Sequence, residues 1–178
     1  GANLKEANLT RAVLLSANLK KANLVSSTLT NAILDGAYLT RAELTGADLT
    51  GANLTRVTLI NADLTGAELT GANLTRTTLT SANLKEANLT AANLTDASLS
   101  NADLTDTNLS GANLTNANLG NAKLPGTILT GSNLTRANLS GADLRGKDLK
   151  GTTLIQTNLS GANLKEANLT RAVLLSAN

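Results

Sequence analysis

The chain lacks several residue types on which whole classes of protein depend. Its 178 residues contain no Cys, His, Met, Trp or Phe, one Tyr and one Pro. Without Cys there are no disulfides and no thiol chemistry, and without Cys and His the usual zinc ligands are missing. Catalytic arrangements that need a histidine are excluded as well. Because Tyr38 is the sole aromatic residue, the core must be aliphatic.

Long apolar runs are missing too. No apolar segment approaches the roughly 20 residues that a membrane-spanning helix needs, and no signal-peptide pattern opens the chain. The sequence therefore predicts a soluble protein with no membrane partner. Asn-Leu-Thr and Asn-Leu-Ser recur so densely that glycans on them would crowd one another. A bacterial cytoplasmic or laboratory origin is favoured over eukaryotic secretion.

What the chain does contain is a leucine at every fifth position, from Leu4 to Leu174 without exception. A period of five matches neither a helix nor a strand and indicates a solenoid of short extended segments and turns. The position two residues before each Leu is Ala in most pentads. The exceptions are Ser27, Val57, Thr77, Thr107, Thr127, Ser132, Lys147, Thr152 and Thr157. Restricted positions separated by one residue mark one side of an extended segment, so both columns are predicted to point inward.

This pattern resembles the pentapeptide-repeat family, whose consensus is a small residue, Asn or Asp, Leu or Phe, a polar residue and Gly. Segment 47–51, Ala-Asp-Leu-Thr-Gly, reproduces the consensus residue for residue, and the match extends over the whole chain. The resemblance implies an all-β fold, a right-handed quadrilateral β-helix with four pentads in each 20-residue coil. Residues 1–178 would then form a single β-solenoid domain of about nine coils. We number its four faces by the leucines of the first coil, Leu4, Leu9, Leu14 and Leu19.

The two ends of the chain are alike. Residues 161–178 are an identical repeat of 1–18, GANLKEANLTRAVLLSAN, eight coils apart. Outward positions vary elsewhere, so the fold does not require this identity. A recent duplication, a slice of a longer array and a consensus-like or engineered chain with matched ends all stay open as explanations. The missing initial Met and the end within a pentad favour a fragment or an engineered chain.

Neither end carries a capping helix or a Pro-rich block. Solenoids usually need polar caps, because uncapped end coils expose Leu and unpaired backbone groups. The sequence therefore predicts that the chain associates with itself by end-to-end stacking. Such a head-to-tail contact does not close and would produce fibres.

Threonine columns on the second and third faces are the candidate binding surface. The candidates all directly follow Leu: Thr10, Thr30, Thr50, Thr70 and Thr90 on the second face, and Thr55, Thr75, Thr95, Thr115 and Thr135 on the third. Regularly spaced Thr on a flat β surface would suit ice binding. Thr is also common on solvated strands, and the outward column beside the second-face Thr is mixed. Ice binding is therefore an alternative function.

A second alternative comes from the family resemblance, because the family contains DNA-like proteins that bind DNA gyrase. Such mimicry needs acidic stripes that imitate phosphate. The first face carries a partial acidic column of Glu43, Asp63, Asp103 and Asp143. Asn83 and Lys123 interrupt it, and the net charge of the chain is +2. Gyrase is thus a partner that the charge disfavours.

Other ligands find less support in the sequence. Arg56, Arg76 and Arg136 share a corner, but basic residues are sparse and no aromatics are available to stack bases, which disfavours nucleic acid. The carboxylates lack the dense oxygen ligands of a calcium loop, so no metal site is expected. A convex rod has no cleft, so the sequence predicts no pocket, no cofactor, no catalytic residue and no enzyme. The favoured function is a non-catalytic structural scaffold or interaction solenoid.

Lys147 is the anomalous inward position. An unpaired buried ammonium is costly, so this side chain is expected to find partners or to snorkel outward. Hydroxyl residues occupy nearby inward positions, namely Thr127, Ser132, Thr152 and Thr157. The sequence predicts a small satisfied polar cluster around the amine, and a Lys147→Ala substitution that is neutral or stabilising. Pro125-Gly126 is expected at a corner.

Overall fold

The computed structural model describes residues 1–178, which contain no helix and no extended strand. Instead, along most of the chain the residue before each Leu forms an isolated parallel β-bridge with its equivalent in the next coil. Bridged residues are 20 positions apart, as in Asn3 with Asn23 and Asn53 with Asn73. The chain therefore returns to the same face every 20 residues.

Backbone hydrogen bonds between coils follow one repeating scheme. The N–H of Leu54 donates to the carbonyl of Asn73 at 2.7 Å, and the N–H of Arg56 donates to Thr75 at 3.0 Å, both in the following coil. The N–H of Asn53 donates in the other direction, to the carbonyl of Ala32 at 2.9 Å. Each coil thus offers different groups to its two neighbours, and a coil with only one neighbour leaves one of the two sets unsatisfied.

The corners are tight turns closed by a hydrogen bond from the inward Ala to the preceding Leu, such as Ala92 to Leu89 at 3.0 Å. The second residue after each Leu has a left-handed backbone, with φ 57° at Glu6 and 55° at Ala91. The first residue after Leu does not, so the turns have the type II pattern, which favours Gly at this second position. This geometry explains why Gly recurs there.

The core is a continuous column of Leu and small residues. A cluster of 48 buried residues extends from Leu19 to Leu159, so the interior is shared along most of the rod. The hydroxyls at inward positions are satisfied by carbonyls: Thr77 Oγ1 donates to Leu54 at 2.7 Å, and Ser132 Oγ donates to Leu129 at 2.8 Å. No buried side-chain polar atom lacks a partner. The chain forms no helix of the length and apolar character needed to cross a membrane.

The ladder is interrupted at one junction in the interior of the chain. Lys123 bridges backward to Asp103 and Asp143 bridges forward to Asn163, but Lys123 and Asp143 do not bridge each other. The equivalent bridge is also missing one face further on, between Ile128 and residue 148. The interruption is therefore confined to the first two faces, between segments 123–128 and 143–148.

Candidate functional site

The third-face threonines lie in a hydrogen-bond network with asparagines. Thr75 Oγ1 donates to Asn73 Oδ1 at 2.7 Å and accepts from Asn93 Nδ2 of the following coil at 3.1 Å. Thr95 and Thr115 make the same two kinds of contact. Thr55 and Thr135 donate to the Asn of their own pentad in the same way. These five side chains are half-buried, and their hydroxyl donors are already used within the protein.

The second-face threonines are less uniform. Thr10 is exposed, whereas Thr30, Thr50, Thr70 and Thr90 are half-buried. Thr10 and Thr90 each donate to the Asn of their own pentad, at 2.7 and 2.6 Å. Thr30 instead donates to Asp48 of the next coil at 2.8 Å. Hydrogen bonds from Thr50 and Thr30 hold the pKa of Asp48 below its usual 3.8. The structure therefore does not arrange these threonines as a uniform surface.

Of the first-face carboxylates, Asp63, Asp103 and Asp143 are paired with cations or amides, whereas Glu43 has no such partner. Asp103 Oδ2 lies 3.6 Å from the ammonium of Lys85 and 3.6 Å from that of Lys123. Asp63 accepts a hydrogen bond from Asn83 Nδ2 at 3.1 Å. No group of three or more acidic side chains is placed to hold a metal ion. The column consequently has mixed charge.

Lys147 occupies the interrupted junction. Its ammonium donates to the carbonyl of Thr127 at 3.3 Å. In the regular scheme the equivalent carbonyl accepts a backbone N–H, as that of Ser27 does from Asp48 at 2.9 Å. The corresponding bond, from the N–H of Asp148 to Thr127, is not formed. The lysine side chain has taken the acceptor of a ladder bond.

The environment of Lys147 differs in part from the polar cluster that the sequence predicts. The hydroxyl of Thr152 donates to the carbonyl of Leu149 and that of Thr157 to Leu134, so neither binds the amine. Thr127 contributes its carbonyl and not its hydroxyl. Burial lowers the pKa of Lys147 from its usual 10.5, opposed by the charges of Asp106 and Asp143. The half-buried ammonium has one protein acceptor within hydrogen-bond distance.

The missing ladder bonds leave a cleft of about 660 Å³ between the two coils, which we call the Lys147 cleft. The expectation that this rod has no pocket is therefore wrong. Lys147 explains the cleft, because its side chain is much longer than the Ala that usually fills this position and lies where the coils would otherwise meet. The inward Lys was the sequence signal that could have predicted it. The principal polar lining residues are Lys123, Asp143, Arg145, Lys147, Lys165 and Glu166.

Pro125 and Gly126 at the mouth of the cleft are the two central residues of a corner turn. A Pro followed by a left-handed Gly, here with φ 63°, is the preferred pair for a type II turn. Pro125 is therefore compatible with the regular fold at this corner. The Lys147 cleft is therefore caused by the side chain of Lys147 in the next coil and not by Pro125.

Asp143 and Arg145 form an ion pair at the Lys147 cleft. Arg145 donates from Nε to Asp143 Oδ1 at 2.8 Å and from Nη2 to Oδ2 at 2.6 Å. This Arg145 fork lowers the pKa of Asp143 to about 2. Glu166 lies 3.6 Å from the ammonium of Lys165. A general acid near neutral pH would need a raised carboxyl pKa, so the Asp143 pair does not supply this chemistry.

The end coils present backbone groups without partners inside the chain. On the last coil the N–H groups of Leu164 and Leu169 make no backbone hydrogen bond, and the carbonyl of Ala162 accepts none. On the first coil the backbone N–H and carbonyl groups of Asn3 and Asn8 likewise take part in no backbone hydrogen bond. In the regular ladder a Leu N–H pairs with the carbonyl of an Asn in the following coil, and the N–H of such an Asn pairs with an Ala carbonyl of the preceding coil. The groups left free on the last coil are therefore of the kinds that pair with those left free on the first.

Comparison with known families places this geometry in context. A family model described as pentapeptide repeats matches the chain in overlapping segments, from 1–31 at one end to 148–178 at the other. A comparison with curated protein sequences gives no match.

Several solved structures are similar to the chain, including HetL and QnrB1. HetL, a pentapeptide repeat protein involved in heterocyst differentiation regulation from the cyanobacterium Nostoc sp. strain PCC 7120, is 35% identical. That match covers 99% of this chain and 84% of HetL, with a TM-score of 0.50. A trypsin-treated variant of QnrB1, a plasmid-mediated fluoroquinolone resistance protein, is 19% identical over 83% of this chain and 77% of its own, with a TM-score of 0.66. These similarities imply a right-handed quadrilateral β-helix.

Proposed function

This chain belongs to the pentapeptide-repeat family, and we propose that it is a non-catalytic β-solenoid scaffold whose copies associate end to end. The observation that carries the proposal is the complementarity of the two end coils. Leu164 offers a free N–H and Ala162 a free carbonyl, and Asn3 offers both a free N–H and a free carbonyl. A second copy would satisfy these groups by continuing the ladder.

Apolar contacts would favour the same association. The leucines of the end coils are less buried than those of the interior: Leu174 is 41% exposed, whereas Leu94 is fully buried. Covering such surface is favourable by roughly 25 cal/mol for each Å² removed from water. Each backbone hydrogen bond formed at the joint would contribute about 0.5–1.5 kcal/mol net. These gains act against the entropy lost on association.

Light scattering on a size column, over a wide range of protein concentration, tests this proposal. We expect the mass to rise with concentration, and negative-stain images of the top fraction to show rods of constant width and increasing length. A mass that stays monomeric, or that stops at a closed dimer, would contradict open end-to-end association.

Gyrase binding is a less supported alternative. The net charge is +2, and both Lys85 and Lys123 lie beside Asp103 in the acidic column. These cations oppose the imitation of DNA phosphates. Inhibition of gyrase supercoiling by the purified chain would support this alternative, and an unchanged supercoiling rate would remove it.

Ice binding is the other alternative. Its candidate surface is regular on the third face, but the hydroxyls of Thr75 and Thr95 already donate to Asn73 and Asn93. Water at an ice surface would have to compete with these internal bonds. A thermal hysteresis measurement tests the alternative directly, and the absence of hysteresis at millimolar protein would exclude it.

A further inference from the structure

We infer that the Lys147 cleft binds the C-terminal end of an extended peptide, whose backbone pairs along residues 122–126 and whose carboxylate lies beside the ammonium of Lys147. The inference is carried by unpaired backbone groups in the wall of the cleft, by their order along the chain, and by an ammonium without an acidic partner. The site lies at an interior junction, so it goes beyond end-to-end association and does not depend on it.

The cleft is a local opening in an otherwise closed part of the solenoid. On the third and fourth faces the same two coils stay joined by the bridges of Asn133 with Thr153 and of Asn138 with Asn158. Beneath the opening Leu124 is only 3% exposed, so the cleft stops at the leucine column. Its volume of about 660 Å³ lies within the roughly 300–1,000 Å³ of ligand pockets. A short ligand with small side chains can therefore occupy it without entering the core.

The upper wall of the cleft presents backbone groups that have lost their ladder partners. In the intact junction one coil earlier, the N–H of Leu104 donates to the carbonyl of Lys123 at 2.8 Å. The N–H of Lys123 in turn donates to the carbonyl of Ala102 at 2.9 Å. The equivalent N–H of Leu124 and carbonyl of Ala122 take part in no backbone hydrogen bond. One residue of an extended peptide can therefore bond both groups, just as Lys123 bonds both of its partners.

The next free donor sets the position at which the peptide ends. In the intact junction the N–H of Asp106 donates to the carbonyl of Pro125 at 2.8 Å, two residues after Lys123. The equivalent N–H of Gly126 makes no backbone hydrogen bond. A peptide that runs parallel to residues 122–126 therefore places an acceptor at this N–H two residues after its first paired residue.

Lys147 supplies a positive charge at the same end of the cleft. Its ammonium donates to the carbonyl of Thr127, the residue after Gly126, and forms no ion pair. The charges of Asp106 and Asp143 act on it from beyond ion-pair distance. Hydrogen bonds between ionised groups are stronger than neutral ones. The acceptor at the N–H of Gly126 is therefore best supplied by a carboxylate, and a C-terminal carboxylate occupies the place of the backbone carbonyl found there in the regular ladder.

The other charges of the cleft do not oppose a carboxylate. The lining contains four cationic and two acidic residues. Asp143 is held by Arg145 at 2.6 Å, and Glu166 lies 3.6 Å from the ammonium of Lys165. Both acids are thus paired with neighbouring cations, which weakens their repulsion of an incoming anion.

The lower wall favours a peptide over a simple anion. The carbonyls of Asp143 and Arg145 accept no backbone hydrogen bond. Such carbonyls repel a bare anion, but they accept hydrogen bonds from the N–H groups of a peptide, and an unpaired backbone group is costly. The two walls together therefore match a ligand that carries amide donors, amide acceptors and one carboxylate.

An NMR titration of the isotope-labelled chain with acetyl-Ala-Gly-Ala, bearing a free C-terminal carboxylate, tests the inference. The N–H signals of Leu124 and Gly126 should shift with a common dissociation constant, whereas that of Leu104 in the intact junction should not. The same peptide with a C-terminal amide should bind roughly tenfold more weakly, because it loses a charge-assisted hydrogen bond. Acetyl-Pro-Gly-Ala, which lacks the first N–H, should bind about threefold more weakly.

Two matched variants test the role of the ammonium. Lys147→Gln should weaken binding of the acid peptide roughly tenfold, so that the acid and amide peptides bind alike. Lys150→Gln removes an exposed lysine on the same face and should leave both affinities unchanged. If Lys147→Gln closes the cleft altogether, the acid and amide peptides still separate the charge from the opening, because both are measured on the unmodified chain.

Each contrary outcome overturns a stated part of the inference. The absence of shifts at Leu124 and Gly126 at millimolar peptide overturns it as a whole. Equal binding of the acid and amide peptides overturns the role of the carboxylate. Acetate that shifts the same signals at the same concentration as the peptide overturns the backbone pairing and leaves a simple anion site. None of these outcomes bears on end-to-end association, which light scattering tests separately.

Discussion

The ammonium of Lys147 lies 3.3 Å from the carbonyl oxygen of Thr127, an acceptor that elsewhere in the solenoid pairs with a backbone N–H. A single side chain thus replaces a ladder bond, and the bridges on both sides of it are missing. In a repeat protein each coil is held mainly by its nearest neighbours. This junction is therefore the interior point at which we expect the rod to open most readily.

Replacing Lys147 by Ala should stabilise the protein by about 1 kcal/mol, because the N–H of Asp148 could then reach the carbonyl of Thr127. Chemical unfolding measures the gain, and slower hydrogen exchange at Asp148 would locate it. Lys150→Ala, which removes an exposed lysine three residues later on the same face, is the control and should change little. A loss of several kcal/mol in Lys147→Ala would mean that the ammonium holds the junction together.

The stability contributed by Lys147 should depend on pH. Burial lowers its pKa below 10.5, so the folded protein binds fewer protons than the unfolded chain between that lowered pKa and 10.5. Stability should therefore rise with pH across this window, and the penalty should be fully present below it. The difference in unfolding free energy between Lys147→Ala and the unmodified chain should shrink as pH approaches 10.5. A difference that is constant from neutral to alkaline pH would contradict this prediction.

The Asp143 and Arg145 pair predicts the opposite dependence at acid pH. Asp143 has a pKa of about 2, below its usual 3.8, so its contribution is present above 3.8 and is lost as pH falls through about 2. Arg145→Gln should move this pKa back toward 3.8, which an NMR titration of the carboxyl carbon would measure. Arg136→Gln removes another exposed guanidinium and should leave the pKa of Asp143 unchanged. An unshifted Asp143 in the original chain would show that the fork is not formed in solution.

Ala91→Gly tests the left-handed corners. Ala91 has φ 55°, which costs a residue with a β-carbon roughly 1–2 kcal/mol, partly offset by the greater flexibility that Gly has in the unfolded chain. We expect a net stabilisation of about 0.5–1 kcal/mol in chemical unfolding. Ala92→Gly, at the adjacent buried position, should destabilise instead because it removes a methyl group from the core. If both substitutions destabilised the protein, the corner at Ala91 would not carry the expected strain.

Much of the fold could be predicted because its determinants are local and periodic. The Leu column and the small residue two positions before it define the inward side wherever they occur, and turn residues fill the corners. The same logic explains why Pro125-Gly126 could be assigned to a corner. The prediction that no pocket exists was wrong, since it treated every coil junction as regular although Lys147 departs from the rule.

The candidate surfaces were less predictable, because their hydrogen bonds join residues of different coils. Sequence alone identified the Thr columns, but it did not reveal that Thr75 accepts from Asn93 while donating to Asn73. Nor did it distinguish Thr30, which donates to Asp48, from Thr90, which donates within its own pentad. These choices depend on side-chain rotamers and on the neighbouring coil.

By itself, the sequence determined the repeat, the inward columns, the corner positions and the likeness of the two ends, because each follows from residue type at a fixed spacing. Only the tertiary structure decided which acceptor Lys147 takes, where the ladder opens and which apolar side chains stay exposed at the ends. The physical reason is that backbone pairing between coils is set by the atoms that face one another across the junction. A side chain as long as lysine can displace that pairing without altering the repeat.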